Sequence, residues 1–164
     1  MSRKDRLLTI VGPTAVGKTR LSIELAKAFR GEIISGDSMQ VYKGMDIGTA
    51  KIKRDERGGI PHHLIDILDP HESFSVTQFQ ELTKKCIAEI NERGKLPILV
   101  GGTGLYVQSV THDFHFPEAH DPALRQKWLN YLACYGKEKL YEQLKAIDPQ
   151  YAQKLHPNNT RRVI

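Results

Sequence analysis

The chain has 164 residues, of which 40% are hydrophobic and 26% charged, and this describes a soluble globular protein of one domain or one domain with a small insertion. No apolar run approaches the roughly 20 residues that a membrane span needs. The charged start Ser2-Arg3-Lys4-Asp5-Arg6 leads directly into an apolar strand, so no secretory signal is expected and the cytoplasm is the expected compartment. A formal charge of +5 permits a nucleic-acid partner without requiring one.

Leu7-Leu8-Thr9-Ile10-Val11 reads as a short buried strand. It runs into Gly12-Pro13-Thr14-Ala15-Val16-Gly17-Lys18-Thr19, a complete phosphate-binding loop. Leu21, Ile23, Leu25, Ala26 and Phe29 then recur at helical intervals. Strand, glycine-rich turn and helix together make an anion cradle: backbone N–H groups converge on phosphate oxygens, the helix N-terminus adds its positive end, and Lys18 neutralises charge. Thr19 can set its hydroxyl on a phosphate-bound Mg²⁺. The expected ligand carries a di- or triphosphate group.

Residues 32–38 read as a second strand ending at Asp37, followed by a polar loop with glycines at 44, 48, 58 and 59. Residues 60–70 form a short apolar element closed by Asp69-Pro70. Ser75-Val76 opens a helix through Phe79, Leu82, Cys86, Ile87 and Ile90, with Gly94 as its cap. Leu96 to Val100 is a third strand; Gly101-Gly102-Thr103-Gly104 follows, and Leu105-Tyr106-Val107 starts another helix. Alternating strands and helices predict an α/β fold, a P-loop NTPase-like doubly wound parallel sheet over residues 1–112, with its site at the carboxyl ends of the strands.

From about Asp113 the character changes. His115, Pro117, Asp121 and Pro122 mark an irregular link, and Leu124, Trp128, Leu132, Leu140, Leu144 and Ile147 then recur at helical spacing, with Gly136 between two helices. Residues 113–156 are expected to form a helical insertion domain, and 157–164 to begin a return to the core. Asn159-Thr160-Arg161-Arg162 resembles a helix start with nothing after it, and three core strands are few for a sheet covered on both faces. A fragment, truncated at its C-terminal side, is expected.

Three features meet at one rim: the loop, Asp37 and Thr103. Asp37 can hold Mg²⁺, act as a general base on an acceptor, or simply order a turn. Ser38, Gln40 and Tyr42 bring a hydroxyl, an amide and a phenol beside it, and Gln40 suits a nucleobase edge. Thr103 is either a turn residue or a donor aimed at phosphate or acceptor. The third strand ends in glycine, whereas most phosphate-loop NTPases end a neighbouring strand in an Asp that supports Mg²⁺. His62-His63 lacks a third metal ligand at suitable spacing, and Cys86 and Cys134 are expected to be free thiols. Arg125, Lys127, Arg161 and Arg162 are the basic positions that a polyanion would meet.

The phosphate loop at 12–19, Asp-Ser-Met-Gln-Val-Tyr at 37–42, Asp-Ile-Gly-Thr-Ala-Lys at 46–51, Pro-His-His-Leu-Ile-Asp at 61–66, Gly-Gly-Thr-Gly-Leu-Tyr at 101–106 and Asn-Thr-Arg-Arg-Val-Ile at 159–164 together resemble the tRNA dimethylallyltransferase (tRNA isopentenyltransferase) family. The resemblance spans the chain and about the first half of a typical member. It implies transfer of a dimethylallyl group from dimethylallyl pyrophosphate to N6 of the adenosine just 3′ of the anticodon. In that frame the loop, Gly12 to Thr19, holds the pyrophosphate, Lys18 and a Thr19-bound Mg²⁺ stabilise it as leaving group, and Asp37 takes the proton of the adenine amine. Asp37, Ser38, Met39 and Gln40 frame the base, Thr103 contacts the acceptor nucleotide, and Arg125, Arg161 and Arg162 meet the tRNA anticodon stem-loop. No membrane is involved, and a monomer is expected. Read without the resemblance, the residues favour a small-molecule kinase with Asp37 as base. Prenyl transfer to free adenine nucleotides and a non-enzymatic nucleotide-sensing module are the other readings.

Overall fold

A computed structural model describes residues 5–112, 114 and 121–164. The chain divides into two units, one ending at residue 115 and the other beginning at 116. In the first, β1 (Leu8–Val11), α1 (Lys18–Phe29), β2 (Gly31–Ser35), β3 (His62–His63), α2 (Val76–Glu92), β4 (Leu96–Gly101) and α3 (Gly104–Thr111) follow one another. The strands form one parallel sheet in the order β1-β4-β2-β3. Strand β4 therefore lies between the strand that feeds the phosphate loop and the strand that leads to Asp37.

Burial explains the layering. Successive strand residues face opposite ways, so Ile33 and Ile98, paired in register, join Ala26 of α1 on one face. Ile34 and Leu99, the next pair, meet Phe79, Ile87 and Ile90 of α2 and Tyr106 and Val107 of α3 on the other. Such strands are buried on both sides and read as unbroken apolar runs, as Ile98-Leu99-Val100 does.

Local chemistry fixes the ends of α2. Ser75 Oγ accepts from Gln78 N–H at 3.2 Å while Gln78 Oε1 accepts from Ser75 N–H at 2.8 Å, a reciprocal capping box. At the other end Gly94 adopts φ 69°, and Lys95 N–H reaches Ile90 O at 3.1 Å and Gly94 N–H reaches Asn91 O at 2.9 Å. These two bonds satisfy the last carbonyls in a Schellman turn, so the glycine cap expected from the sequence has its physical reason.

Two strand expectations are corrected. Strand β2 stops at Ser35, and Asp37 lies beyond it because its own carboxylate accepts from Met39 N–H at 2.8 Å and turns the chain. A fourth strand exists at His62–His63, where Ile33 N–H bonds to Pro61 O at 2.9 Å. Its two polar residues carry no apolar pattern to read.

In the second unit, α4 (Pro122–Ile147), α5 (Pro149–Ala152) and α6 (Thr160–Val163) pack around Leu140, Leu155 and Val163. Asp121 caps α4 by accepting from Ala123 N–H at 2.9 Å, and helical geometry breaks at Gly136, whose φ of 80° suits glycine. Tyr141 OH pins α5 by donating to Ala152 O at 2.7 Å. Of residues 157–164, Val163 of α6 packs into this helical core. Of the expected irregular link, Asp113, His115 and Pro117 lie outside the described residues. Among the described residues no helix is long and apolar enough to cross a membrane. Cys86 and Cys134 are free thiols, with burial raising the Cys86 pKa.

Candidate active site

The carboxyl ends of the strands surround a cavity of about 530 Å³. It is lined by Thr14, Ala15, Gly17, Lys18 and Thr19 of the phosphate loop, with Arg20 beside them, and by Asp37, Met39 and Gln40 of the turn after β2. Gly48, Thr49, Ala50 and Ile52 form a further wall, and His62 and Ile65 contribute from the edge of the sheet.

The loop holds its shape by strain that glycine tolerates. Gly17 sits at φ 85° immediately before α1, and Ala15 is held at φ 66°, a left-handed conformation uncommon for a residue with a Cβ. Gly17 offers no side-chain cap, so the first N–H groups of α1 stay open to an anion. Lys18 Nζ donates to Pro13 O at 2.5 Å and so spans the loop. Ser22, buried one turn on, ties its hydroxyl to Thr19 O at 2.8 Å.

The missing acid at the end of β4 has a steric cause. A Cβ at Gly101 would collide with the backbone of Gly36, whose N–H donates to Val100 O at 2.7 Å. The two glycines bring the ends of β2 and β4 into backbone contact and bring the Asp37 turn beside the phosphate loop. A carboxylate cannot stand on β4 at this level without prising the turn away.

Asp37 is fixed by its own turn: Oδ1 accepts from Met39 N–H at 2.8 Å and from Gln40 N–H at 3.4 Å. The second oxygen takes no hydrogen bond among the described residues. The turn role and the cavity-lining role thus coexist in one side chain. Gln40 is more constrained than its proposed base-edge role assumed: Oε1 accepts from Ser35 Oγ at 3.0 Å, and Nε2 donates to Thr49 O at 3.1 Å. One amide hydrogen and one lone pair remain for a ligand. Met39 is 42% exposed and lines the cavity, whereas Val41 is wholly buried. Ser38 and Thr103 stand just outside it, joined by a 3.3 Å bond from Ser38 N–H to Thr103 Oγ1. Arg125, Arg161 and Arg162 are exposed on α4 and α6 of the second unit.

The adjacent histidines serve different ends of the molecule. His62 lines the cavity; its Nδ1 lies 2.8 Å from Ile60 O, which only accepts, so Nδ1 carries the proton and the neutral ring leaves Nε2 as an acceptor. Burial pulls the His62 pKa below its ordinary value. His63 Nε2 instead meets Glu32 at 2.7 Å. Among the described residues no cluster of three or more His, Cys, Asp or Glu could hold a metal ion. The wall at 48–52 received no individual role from the sequence, and His62 only a shared structural or substrate-lining one with His63. Their signal was present in the matched stretches 46–51 and 61–66, but loop residues without periodicity give no hint of what they face.

A glycine-rich loop opening an α-helix at the carboxyl edge of a parallel sheet, with Asp37 lining the same cavity, defines an α/β protein of the phosphate-loop kind. The family described as IPP transferase matches residues 40–164, and the chain belongs to that family. It is 59% identical over 160 residues to a tRNA dimethylallyltransferase of Anoxybacillus flavithermus, covering 98% of this chain and 50% of the relative. Against the tRNA dimethylallyltransferase of Bacillus subtilis it is 58% identical, with 98% and 52% covered. Among solved structures, a full-length tRNA isopentenylpyrophosphate transferase of Bacillus halodurans is 57% identical with a TM-score of 0.69, over 98% of this chain and 53% of that one. A eukaryotic dimethylallyltransferase acting on tRNA is 40% identical with a TM-score of 0.86, over 98% and 40%. The chain thus spans about half the length of the curated relatives it matches.

Proposed function

We propose that this chain carries the catalytic half of a tRNA dimethylallyltransferase. The protein transfers a dimethylallyl group from dimethylallyl pyrophosphate to N6 of the adenosine 3′-adjacent to the anticodon and releases pyrophosphate. The observation that carries the reading is one cavity lined by Lys18, Thr19 and Asp37, while Gly101 leaves no room for an acid at the end of β4. A phosphate loop without that acid suits an enzyme that activates no water against a γ-phosphate.

The bond from the allylic carbon to the pyrophosphate oxygen breaks, the bond from that carbon to N6 forms, and the N6 proton passes to Asp37. Negative charge grows on the departing pyrophosphate, so the open N–H groups of α1 and the Lys18 ammonium bind the transition state better than the ground state. The adenine amine is a poor nucleophile because its lone pair is delocalised into the ring, which makes a base useful. Thr19 would hold Mg²⁺ through its hydroxyl; among the described residues no cluster of acids could hold the ion, which fits one that arrives on its substrate. When bound, the ion neutralises leaving-group charge.

Met39 and the remaining hydrogen-bonding capacity of Gln40 would frame the extruded base, with Ser38 and Thr103 toward the acceptor nucleotide. The helical unit, with Arg125, Arg161 and Arg162, would meet the anticodon stem-loop. This work belongs to the cytoplasm and asks for neither a membrane nor a second copy of the chain.

Labelled dimethylallyl pyrophosphate and unmodified tRNA test the reading directly: the label should appear on N6 of the adenosine next to the anticodon. Transfer of the γ-phosphate of ATP to a small alcohol, with no prenylated tRNA, would replace it with the kinase reading.

A further inference from the structure

Lys51 is the one buried lysine or arginine among the described residues, with 3% of its side chain exposed. Its hydrogen bonds and ion pairs reach neither the phosphate loop nor Asp37. Its Nζ donates to Tyr42 O at 2.7 Å and Asp66 Oδ1 at 2.6 Å, and lies 2.8 Å from Asp46 Oδ1. An ammonium has three donors, and here each has an acceptor from a different stretch of chain. Burial pulls the Lys51 pKa down, but the hydrogen bonds and charges of Asp46 and Asp66 outweigh it and hold the group above its ordinary value. The clasp therefore stays charged throughout the neutral range.

We propose that Lys51 is a positioning residue, an ammonium clasp that holds the 48–52 wall of the cavity against the 37–42 turn so that base and allylic carbon meet in line. This rests on the prenyl-transfer reading. Three observations carry it. The wall is loop, held to the turn at a second point by the bond from Gln40 Nε2 to Thr49 O. The segments that the clasp joins contain three non-glycine residues in left-handed geometry, Ala50 at φ 48°, Leu64 at φ 59° and Asp66 at φ 58°, and such strain persists only where surrounding contacts fix it. The same Asp66 donates its N–H to Gln40 O at 3.1 Å, so release of Lys51 loosens the turn as well as the wall.

The clasp lies on the acceptor side of the cavity, and none of its acceptors belongs to the phosphate loop. Its loss should therefore separate two measurements. In the natural full-length protein, Lys51→Met should lower kcat/KM for prenyl transfer by about 10²-fold, the usual effect of a misplacement near 1 Å, while inorganic pyrophosphate binds within about twofold of wild type. Hydrogen exchange should quicken over residues 46–52 and stay slow in α1. Because Lys51→Met leaves two carboxylates facing each other, Asp46→Asn is measured beside it; that carboxylate is 63% exposed, and its loss should give a smaller change in the same direction. Wild-type turnover and exchange in either folded variant, or a parallel loss of pyrophosphate affinity, would overturn the clasp. If the wild-type protein prenylates no tRNA, the reaction reading fails, and exchange over 46–52 alone decides the clasp: faster in Lys51→Met supports it, unchanged refutes it.

Discussion

One carboxylate lies within the amino end of strand β2 and another just past its carboxyl end, and the two live in opposite environments. Glu32, near the amino end, is 3% exposed and meets two cations and a histidine: Lys95 at 2.8 Å on one oxygen, Arg93 and His63 at 2.7 Å on the other. Burial pushes its pKa up, but the hydrogen bonds from Lys95, Arg93 and His63 prevail and bring it down to about 2. Asp37, two residues past the carboxyl end, lines the cavity with one oxygen tied to backbone N–H groups and, among the described residues, no cation paired with it. One carboxylate is saturated and inert as a base; the other is oriented and left with an open oxygen. A parallel sheet assigns these roles by polarity, since ligands gather where the strands end.

The contrast is broken most sharply at Asp37. Asp37→Ala should leave dimethylallyl pyrophosphate binding near wild type and lower kcat by on the order of 10²–10⁴-fold, the usual contribution of a general base. Single-turnover kinetics with unmodified tRNA make the check. Full turnover would remove Asp37 from the chemistry and leave it the turn role alone.

Glu32→Gln is the mirror experiment. Removing one partner of a buried ionic cluster strands the others, and a loss of about 3–5 kcal/mol is expected in urea unfolding. In the folded protein kcat should not change, because Glu32 lies at the far end of its strand from the cavity. A large kcat loss without a stability loss would erase the distinction between the two ends.

Acid should reveal the same asymmetry without mutation. Glu32 is held at about 2 when folded, against an ordinary 4.5, so its stabilisation is complete above about pH 4.5 and fades as pH falls toward 2. The shift corresponds to on the order of 3 kcal/mol. Wild type should lose that amount across the window, whereas Glu32→Gln should show a flatter profile there. Identical profiles would mean that Glu32 titrates alike in folded and unfolded chains.

How far the sequence showed this depends on how local the cause is. The phosphate loop, the Ser75 cap and the Gly94 turn were legible because each is decided by a few neighbouring residues. The alternating faces of Ile33-Ile34 and Ile98-Leu99 were legible as apolar runs, although the order β1-β4-β2-β3 was not, since pairing is settled by contacts far apart in sequence. Asp37 could be singled out by its place after a strand, with turn-ordering among its readings. That one side chain both orders the turn and lines the cavity shows only in its hydrogen bonds to Met39 and Gln40. Glu32 and Lys51 were not singled out at all. A lone charge in a sequence normally reads as solvated surface, and only the fold brings Lys95 and Arg93 to one, or Asp66 to the other. Gly101 was noted for the acid it lacks; the reason, the backbone of Gly36, is visible only in three dimensions.

The smallest effect probes how finely the Glu32 cluster is balanced. Lys95 is 42% exposed and alone serves Oε1, while Arg93 and His63 share Oε2. Lys95→Met leaves Oε1 buried without its donor, so the cost is that of an unsatisfied oxygen on a carboxylate still paired elsewhere, about 1–2 kcal/mol. Its removal also lifts a cause that lowers the Glu32 pKa, so the folded value should rise from about 2 toward the ordinary range and the acid window should narrow from its lower edge. Urea melts at pH 7 and pH 3 separate these effects: the variant should be weaker at both, with the gap to wild type smaller at pH 3, where part of the wild-type stabilisation has already gone. An equal gap at the two pH values would mean that Lys95 acts by packing rather than by charge, and the amino end of β2 would then owe its saturation to Arg93 and His63 alone.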